Sequence, residues 1–312
     1  MIRAGAGNDF AFTGAGQDQV FGGAGLDRWQ ADLAAFAEGI AIDLNAARAT
    51  FLDRGLVQGV EALAGFGPDY APVAFRATEG DDRIVLHRTS YADDVVDLGG
   101  GADRLTAWWG SETDRLAGGA GRDVLTVINA VWTQGLTLSN LAASAGGGWS
   151  GVIHEGPFPT AFGRKTAFEG FERIRYIDRA GSIDAVFLGG GNDTIEAGAG
   201  ADLIGGGGGR DRLFGGAGAD TLAGGRGDDV LWGGADADTF DFAATLAEGR
   251  DTIRDFADGT DRIRILGGSF AALTIAAANG GADTRITTEG GTRILIGGVA
   301  AGLIGPEDFV FG

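Results

Sequence analysis

The chain has 312 residues, of which 60 are glycine, five are proline and none is cysteine, and its formal net charge is −19. The missing cysteine excludes a disulfide framework and Cys-based zinc sites, and an acidic balance with no basic stripe excludes nucleic acid as a partner. So much glycine would suit low-complexity disorder, but 44% of the residues are apolar and they recur on a fixed period, which points to a repeat protein.

The first segment, 1–30, contains three nine-residue turns, AGAGNDFAF, TGAGQDQVF and GGAGLDRWQ, which set Asp9, Asp18 and Asp27 nine apart. No charged-then-apolar leader precedes them, and no run of 18 apolar residues occurs in the chain, so no membrane span is expected. A solenoid that begins bare at residue 4 exposes an apolar end. That leaves a part of a longer chain, an end that meets a partner, or a chain that is simply short.

Residues 31–76 lose the repeat. Alternation at Ile40, Ile42 and Leu44 predicts short strands, and the segment reads as a β-rich insert. A degenerate array follows at 77–126, carrying Asp82, Asp94, Asp103, Asp114 and Asp123 with short insertions at Leu86–Arg88 and Ala107–Trp108. Asp103 and Asp123 sit in proper glycine loops and are candidate ligands, while Asp82, Asp94 and Asp114 stay open either way.

A second β-rich insert covers 127–187, where FERIRYI alternates as a strand should. His154 stands beside Glu155, but the second histidine of a His-Glu-x-x-His metal helix is absent, and His87 has no partner in sequence. Both read as non-catalytic. Trp108, Trp109, Trp132 and Trp149 would suit either a sugar platform or burial under the inserts.

The most regular stretch is 188–241: LGGGNDTIE, AGAGADLIG, GGGGRDRLF, GGAGADTLA, GGRGDDVLW and GGADADTFD. Glycine at the second and fourth positions permits positive φ and sharp bends that expose carbonyl oxygens. The aspartates Asp193, Asp202, Asp211, Asp220, Asp229 and Asp238 add hard anionic oxygens. Calcium takes six to eight oxygens at roughly 2.3–2.6 Å, more than one such loop can supply and within the means of two stacked loops. After each loop comes a short strand whose inward residues, Ile195, Ile204, Leu213, Leu222, Leu231 and Phe240, make an apolar column. If two turns form one coil, Asp193, Asp211 and Asp229 line one edge, Asp202, Asp220 and Asp238 line the other, and four internal loop pairs result.

These turns resemble the Gly-Gly-x-Gly-x-Asp-x-U-x calcium-binding repeat of the RTX family. The resemblance implies an all-β fold: a parallel β-roll solenoid of calcium-binding nonapeptide repeats, with β-rich inserts and a C-terminal β cap. It extends the ligand set to the carbonyl-presenting glycines Gly191, Gly200, Gly209, Gly218 and Gly227. In the sixth turn Asp236 replaces the fourth-position glycine, which either distorts that site or adds a ligand.

The repeats end after Asp241, and 242–312 looks like the cap of RTX proteins exported by type I secretion, such as serralysin-type proteases. Asp251, Ile253, Asp255, Phe256, Gly259, Asp261 and Ile263 carry this match, followed by the terminal Asp308, Phe309, Val310 and Phe311, with Gly312 as a departure. Alternation at Ile263/Ile265, Ile286 and Ile294/Ile296 predicts antiparallel strands around a small core. Outward positions of one face run Thr194 and Glu196, Arg212 and Phe214, Val230 and Trp232, so Phe214 and Trp232 would form a sticky edge. We expect 242–312 to fold back over it.

The function expected from this reading is calcium binding coupled to folding in a secreted or cell-surface protein. Its implied partners are calcium, the type I secretion machinery and a cell-surface or glycan partner. Structural or adhesive roles and a C-terminal export and folding module head the list. The alternative is an accessory portion of a secreted hydrolase or polysaccharide-modifying enzyme, although the chain shows no nucleophile, base and oxyanion arrangement of its own.

Overall fold

In the computed structural model, the structure describes residues 95–108, 114–129, 136–143, 148–155, 165–179 and 181–312, together with the strands that precede residue 95. Strands dominate throughout. The helical turns among the described residues are three short 3-10 segments, Phe270–Ala272, Asn279–Gly281 and Pro306–Asp308. Two compact units are present: 1–128 with 142–154 and 161–173, and 129–141 with 155–160 and 174–312.

The second unit is a parallel β-solenoid with two sheets. One sheet runs in the order Arg173–Asp178, Thr194–Ala199, Arg212–Ala217, Val230–Ala235, Arg250–Ile253 and Arg293–Ile296, all parallel, then turns antiparallel through Asp283–Thr287 and Thr274–Ala278. The other sheet stacks Leu136–Ala143, Ala185–Phe187, Leu203–Gly209, Thr221–Gly227, Thr239–Ala243, Arg262–Leu266 and Phe309–Phe311 in parallel.

Register explains why nine-residue turns make this shape. Ile195 pairs with Leu213 and Leu213 with Leu231 in one sheet, while Ile204 pairs with Leu222 and Leu222 with Phe240 in the other. Each pairing therefore spans two turns, and one coil consists of two loops and two strands. Ile195, Ile204, Leu213, Leu222, Leu231 and Phe240 are all fully buried, as the sequence predicts. The strands are longer than the three residues expected after each loop. Gly198 pairs with Gly216, and Gly216 with Gly234, so the leading glycines of the next loop also join the ladder.

Two expectations for the C-terminal segment need correction. Ile263 and Ile265 lie on a strand parallel to Thr239–Ala243, and the antiparallel pairings of the segment are those of Asp283–Thr287 with Thr274–Ala278 and with Arg293–Ile296, the last of which is also parallel to Arg250–Ile253. Nor does the segment fold back over Phe214 and Trp232. Strand Arg250–Ile253 pairs with Val230–Ala235 and carries the coil onward along its axis. Parallel stacking satisfies the main chain of the last regular strands, whereas folding across their face would leave it open. Asp255 completes the transition: its carboxylate accepts the N–H groups of Gly233 and Gly234, each at 3.0 Å, beyond the point where the strand pairing stops.

The first unit is built on the same plan. Phe10–Thr13, Arg28–Ala31, Ala62–Ala64, Arg83–Leu86, Arg104–Trp108 and Val124–Asn129 pair in parallel in that order. In a second sheet Ile40–Asp43, Val73–Arg76, Val95–Asp97, Arg115–Ala117 and Lys165–Phe171 are parallel, and Trp149–Glu155 returns antiparallel on Lys165–Phe171. Strands from 31–76 thus lie within the same sheets as the repeat strands. Leu98, Leu105, Leu116, Leu125, Phe168 and Phe171 are buried between these elements.

Candidate metal centre

At the head of each strand of the six regular turns an aspartate turns inward, and its position is fixed by the main chain of the previous coil. The backbone N–H groups of Asp193, Asp202, Asp211 and Asp220 donate to Oδ1 of Asp211, Asp220, Asp229 and Asp238, at 2.8, 2.8, 2.8 and 3.0 Å. Two columns result, on opposite loop edges, with the membership that the spacing predicts. Each of these carboxylates is only 1–2% exposed.

One oxygen per carboxylate is thereby used. The second oxygens, Oδ2 of Asp202, Asp211, Asp220, Asp229 and Asp238, are buried with no hydrogen-bond partner among the described residues. A buried carboxylate with an unmet oxygen is costly unless a proton or a cation joins it. Burial accordingly pushes the carboxyls of Asp202 and Asp211 up to about 8, of Asp238 to about 7 and of Asp220 to about 6. Charges of neighbouring rungs, such as Asp193 and Asp229 on Asp211, push the same way.

Glycine makes room for this arrangement at two positions. A Cβ on the first-position glycines Gly206, Gly215, Gly224 and Gly233 would stand 2.3–2.6 Å from Oδ2 of the aspartate in the same turn. At the fourth position, a Cβ on Gly209, Gly218 or Gly227 would fall 1.5–1.6 Å from the carbonyl oxygen of Gly191, Gly200 or Gly209 one coil earlier. All five fourth-position glycines have φ between 110° and 144°. Asp236 takes the same place at φ 78° without breaking the loop, and its Oδ2 accepts the Gly218 N–H at 3.2 Å. It remains exposed, unlike the ladder aspartates.

Among the described residues no three acidic or histidine side chains converge as a metal cluster. A cation at these rungs would draw on one or two carboxylates and otherwise on main-chain carbonyls. That donor set, all oxygen and mostly neutral, fits calcium and not zinc or copper. The residues that would hold it are the ladder aspartates and the glycine-rich loops between them.

The columns reach further than the repeat pattern does. Asp184 donates its N–H to Oδ1 of Asp202, Asp229 to Asp251 and Asp238 to Asp261, at 2.7, 3.0 and 3.0 Å. The spacings of 22 and 23 residues in the last two pairs hide them from a nine-residue count. In the first unit Asp103 and Asp123 are fully buried, with the Asp103 N–H on Asp123 Oδ1 at 2.9 Å. The next position in that column belongs to Glu172, whose Oε2 accepts the Asp123 N–H at 2.6 Å across 49 residues. No sequence signal announces Glu172.

Asp114 is only half-buried, unlike the ladder residues, although its carbonyl oxygen accepts the Ala167 N–H just as the carbonyls of Asp193 and Asp211 accept the N–H groups of Arg212 and Val230. Asp9, Asp18, Asp27, Asp82, Asp94 and His87 lie outside the described residues, as do Trp109, Trp132 and the side chains of Trp108 and Trp149. His154 is on strand Trp149–Glu155, in register with Lys165.

A family comparison agrees with the repeat pattern. The family model of the RTX calcium-binding nonapeptide repeat (four copies) matches residues 1–28, 89–111, 110–126, 181–213 and 214–244. The AlgE6R3 and AlgE6R2 subunits of the Azotobacter vinelandii mannuronan C5-epimerase, known from solution structures, are 30% and 28% identical to this chain. Each match covers 36% of this chain, with 80% and 88% of the subunits and TM-scores of 0.29 and 0.27. The extracellular lipase LipA from Serratia marcescens is 19% identical over 80% of this chain and 40% of the lipase, with a TM-score of 0.26. No curated protein matches the chain.

Proposed function

From a chain that carries the RTX calcium-binding nonapeptide repeat, we propose a secreted module that is exported unfolded through type I machinery and folds when it meets extracellular calcium. It serves as a structural or adhesive unit, or as the C-terminal export and folding part of a larger protein. The observation that carries this reading is the double column of buried aspartates, in which Oδ2 of Asp202, Asp211, Asp220, Asp229 and Asp238 has no hydrogen-bond partner among the described residues.

The physical logic runs through the chain's own residues. Each turn buries one large apolar side chain against nine ordered residues, several of them glycine, and so thin a core is weak payment for the lost entropy. The ladder carboxylates add repulsion, since ionised rungs sit directly above one another. Bound calcium supplies positive charge to the folded state alone, and its binding free energy becomes folding free energy. Extracellular modules of this kind bind at roughly 10⁻⁴–10⁻³ M, so the chain stays open in a low-calcium cytoplasm and closes outside.

Far-UV circular dichroism through a calcium titration, with magnesium as control, tests the proposal. A coil-to-β transition near 10⁻⁴–10⁻³ M calcium that magnesium does not reproduce is the expected result. A chain fully folded in chelator would reject the folding switch.

A further inference from the structure

Building on the calcium reading, we propose that Asp251 completes one more cation loop beyond the six regular turns, and that Asp261, at the corresponding end of the opposite column, does not. Nothing in the repeat pattern separates these two residues. The second oxygen of each carboxylate does.

Residues 246–254 read LAEGRDTIR and keep only Gly249, Asp251 and Ile253 of the regular turn, at its fourth, sixth and eighth positions. The family match stops before them, at residue 244. Even so the fold treats the segment as another rung. Gly249 has φ 131°, and a Cβ on it would stand 1.6 Å from Gly227 O, reproducing the stacking of Gly227 over Gly209. Ile253 is fully buried and pairs with Leu231, and Asp251 Oδ1 accepts the Asp229 N–H at 3.0 Å. Asp251 is 1% exposed, and its Oδ2 is buried with no hydrogen-bond partner among the described residues. The charges acting on it are those of Asp229, Glu248 and Asp228, all acidic. An anionic oxygen so enclosed calls for a hard divalent cation with oxygen ligands.

Asp261 has the same backbone bond, from the Asp238 N–H at 3.0 Å, and is 2% exposed. Its Oδ2, however, accepts the N–H of Ala257 in its own loop at 2.8 Å. A protein donor closes that column. The opposite end of the same column is closed in a similar way, because Asp184 takes the Tyr176 hydroxyl on Oδ2 at 2.7 Å and the Ser182 hydroxyl on Oδ1 at 3.0 Å. The column of Asp251 stops differently: the residue paired with it in the next strand is Ile294, so no carboxylate continues the series. Cation loops therefore extend one rung into the C-terminal segment on one edge and end at the last regular turn on the other.

Anomalous diffraction from wild-type crystals grown with calcium reads this directly. The expected map has a peak within coordination distance, roughly 2.3–2.6 Å, of Asp251 Oδ2 and none at Asp261 Oδ2. Native mass spectrometry, which counts ions on folded molecules alone, should show D251N with one ion fewer than wild type and D261N with the same number. Peaks at Asp211 and Asp229 without one at Asp251, an ion on Asp261, or an unchanged count in D251N would each overturn this assignment while leaving the calcium reading intact. No ion on any rung would reject the calcium reading itself.

Discussion

The backbone N–H of Asp193 donates to Oδ1 of Asp211 across 2.8 Å, joining two residues that are 18 apart in sequence and one coil apart in space. This bond gives one carboxylate two separate tasks. Its first oxygen holds the stack together, and its second, without a hydrogen-bond partner among the described residues, lies against Gly206 at the start of its own loop. Stability with and without cation should thus respond in opposite directions to changes at the same residue.

Asp211→Asn separates the two tasks. The amide keeps an acceptor for the Asp193 N–H and loses the buried charge. Metal-free D211N should retain more β structure than wild type at pH 8, and the calcium-loaded protein should be less stable. Asp211→Ala removes the acceptor as well and should lose about 1–3 kcal/mol in the calcium-loaded state, the penalty of an unmet buried donor. Far-UV circular dichroism of the three proteins in chelator and urea melts in calcium give the comparison; a D211N that is weaker than wild type under both conditions would contradict the assignment.

A second prediction concerns pH. Burial raises the carboxyls of Asp202 and Asp211 to about 8 and Asp238 to about 7 in the folded roll, against about 3.9 in an unfolded chain. The folded state therefore binds more protons than the unfolded state between these values. Metal-free stability is fully present below pH about 4 and is lost as pH rises toward about 8. Calcium must displace those protons, so its apparent affinity rises over the same window. Calorimetry in buffers of different ionisation enthalpy, at an acidic pH where circular dichroism shows the metal-free roll to be folded, should report proton release on binding, and equal heats in all buffers would rule it out.

The regular turns were legible because one residue type recurs at one interval, which fixes both the apolar column and the carboxylate columns through Ile195, Leu213 and Leu231 or Asp193, Asp211 and Asp229. Two turns per coil followed from the need to stack loops on the same edge. Asp251, Asp261 and Glu172 were missed as rungs for a common reason. Insertions between coils leave the main-chain register intact while destroying the sequence interval, and register depends on strand pairing, which spacing alone does not show. The outer face misled in another way. Phe214 and Trp232 do line up, but their rings stack on each other, with centroids 4.3 Å apart, and so need no cover from the C-terminal segment.

Glycine substitutions should divide by surroundings rather than by φ alone. Gly218 (φ 120°) and Gly267 (φ 74°) are both in the region L-residues avoid. A Cβ on Gly218 would lie 1.6 Å from Gly200 O, while one on Gly267 would meet nothing within 4 Å. G267A should lose roughly 1–2 kcal/mol from backbone conformation. G218A must also push two coils apart, and its calcium-induced β signal should fall or shift to clearly higher calcium. Matching calcium titrations of the two variants by circular dichroism would show that close stacking at this position is unimportant.

The stack on the outer face allows a last, independent test. Phe214 and Trp232 are nearly parallel, at 12°, and the Arg212 guanidinium lies 5.7 and 5.4 Å from the two ring centroids. Strand pairing sets this contact, since Arg212 and Phe214 face Val230 and Trp232 across one coil step. The aromatic pair should be worth about 0.5–1.5 kcal/mol beyond the buried area, and the exposed cation about 0.5–1 kcal/mol more. A double-mutant cycle on F214A and W232A in calcium-loaded protein should return the first coupling, and R212A with F214A the second. Because neither contact involves a ladder aspartate, the variants should retain the wild-type number of bound ions. Coupling near zero would mean that these rings only share a surface, and that the coil's outer face adds nothing to the stacking that its core and carboxylate columns impose.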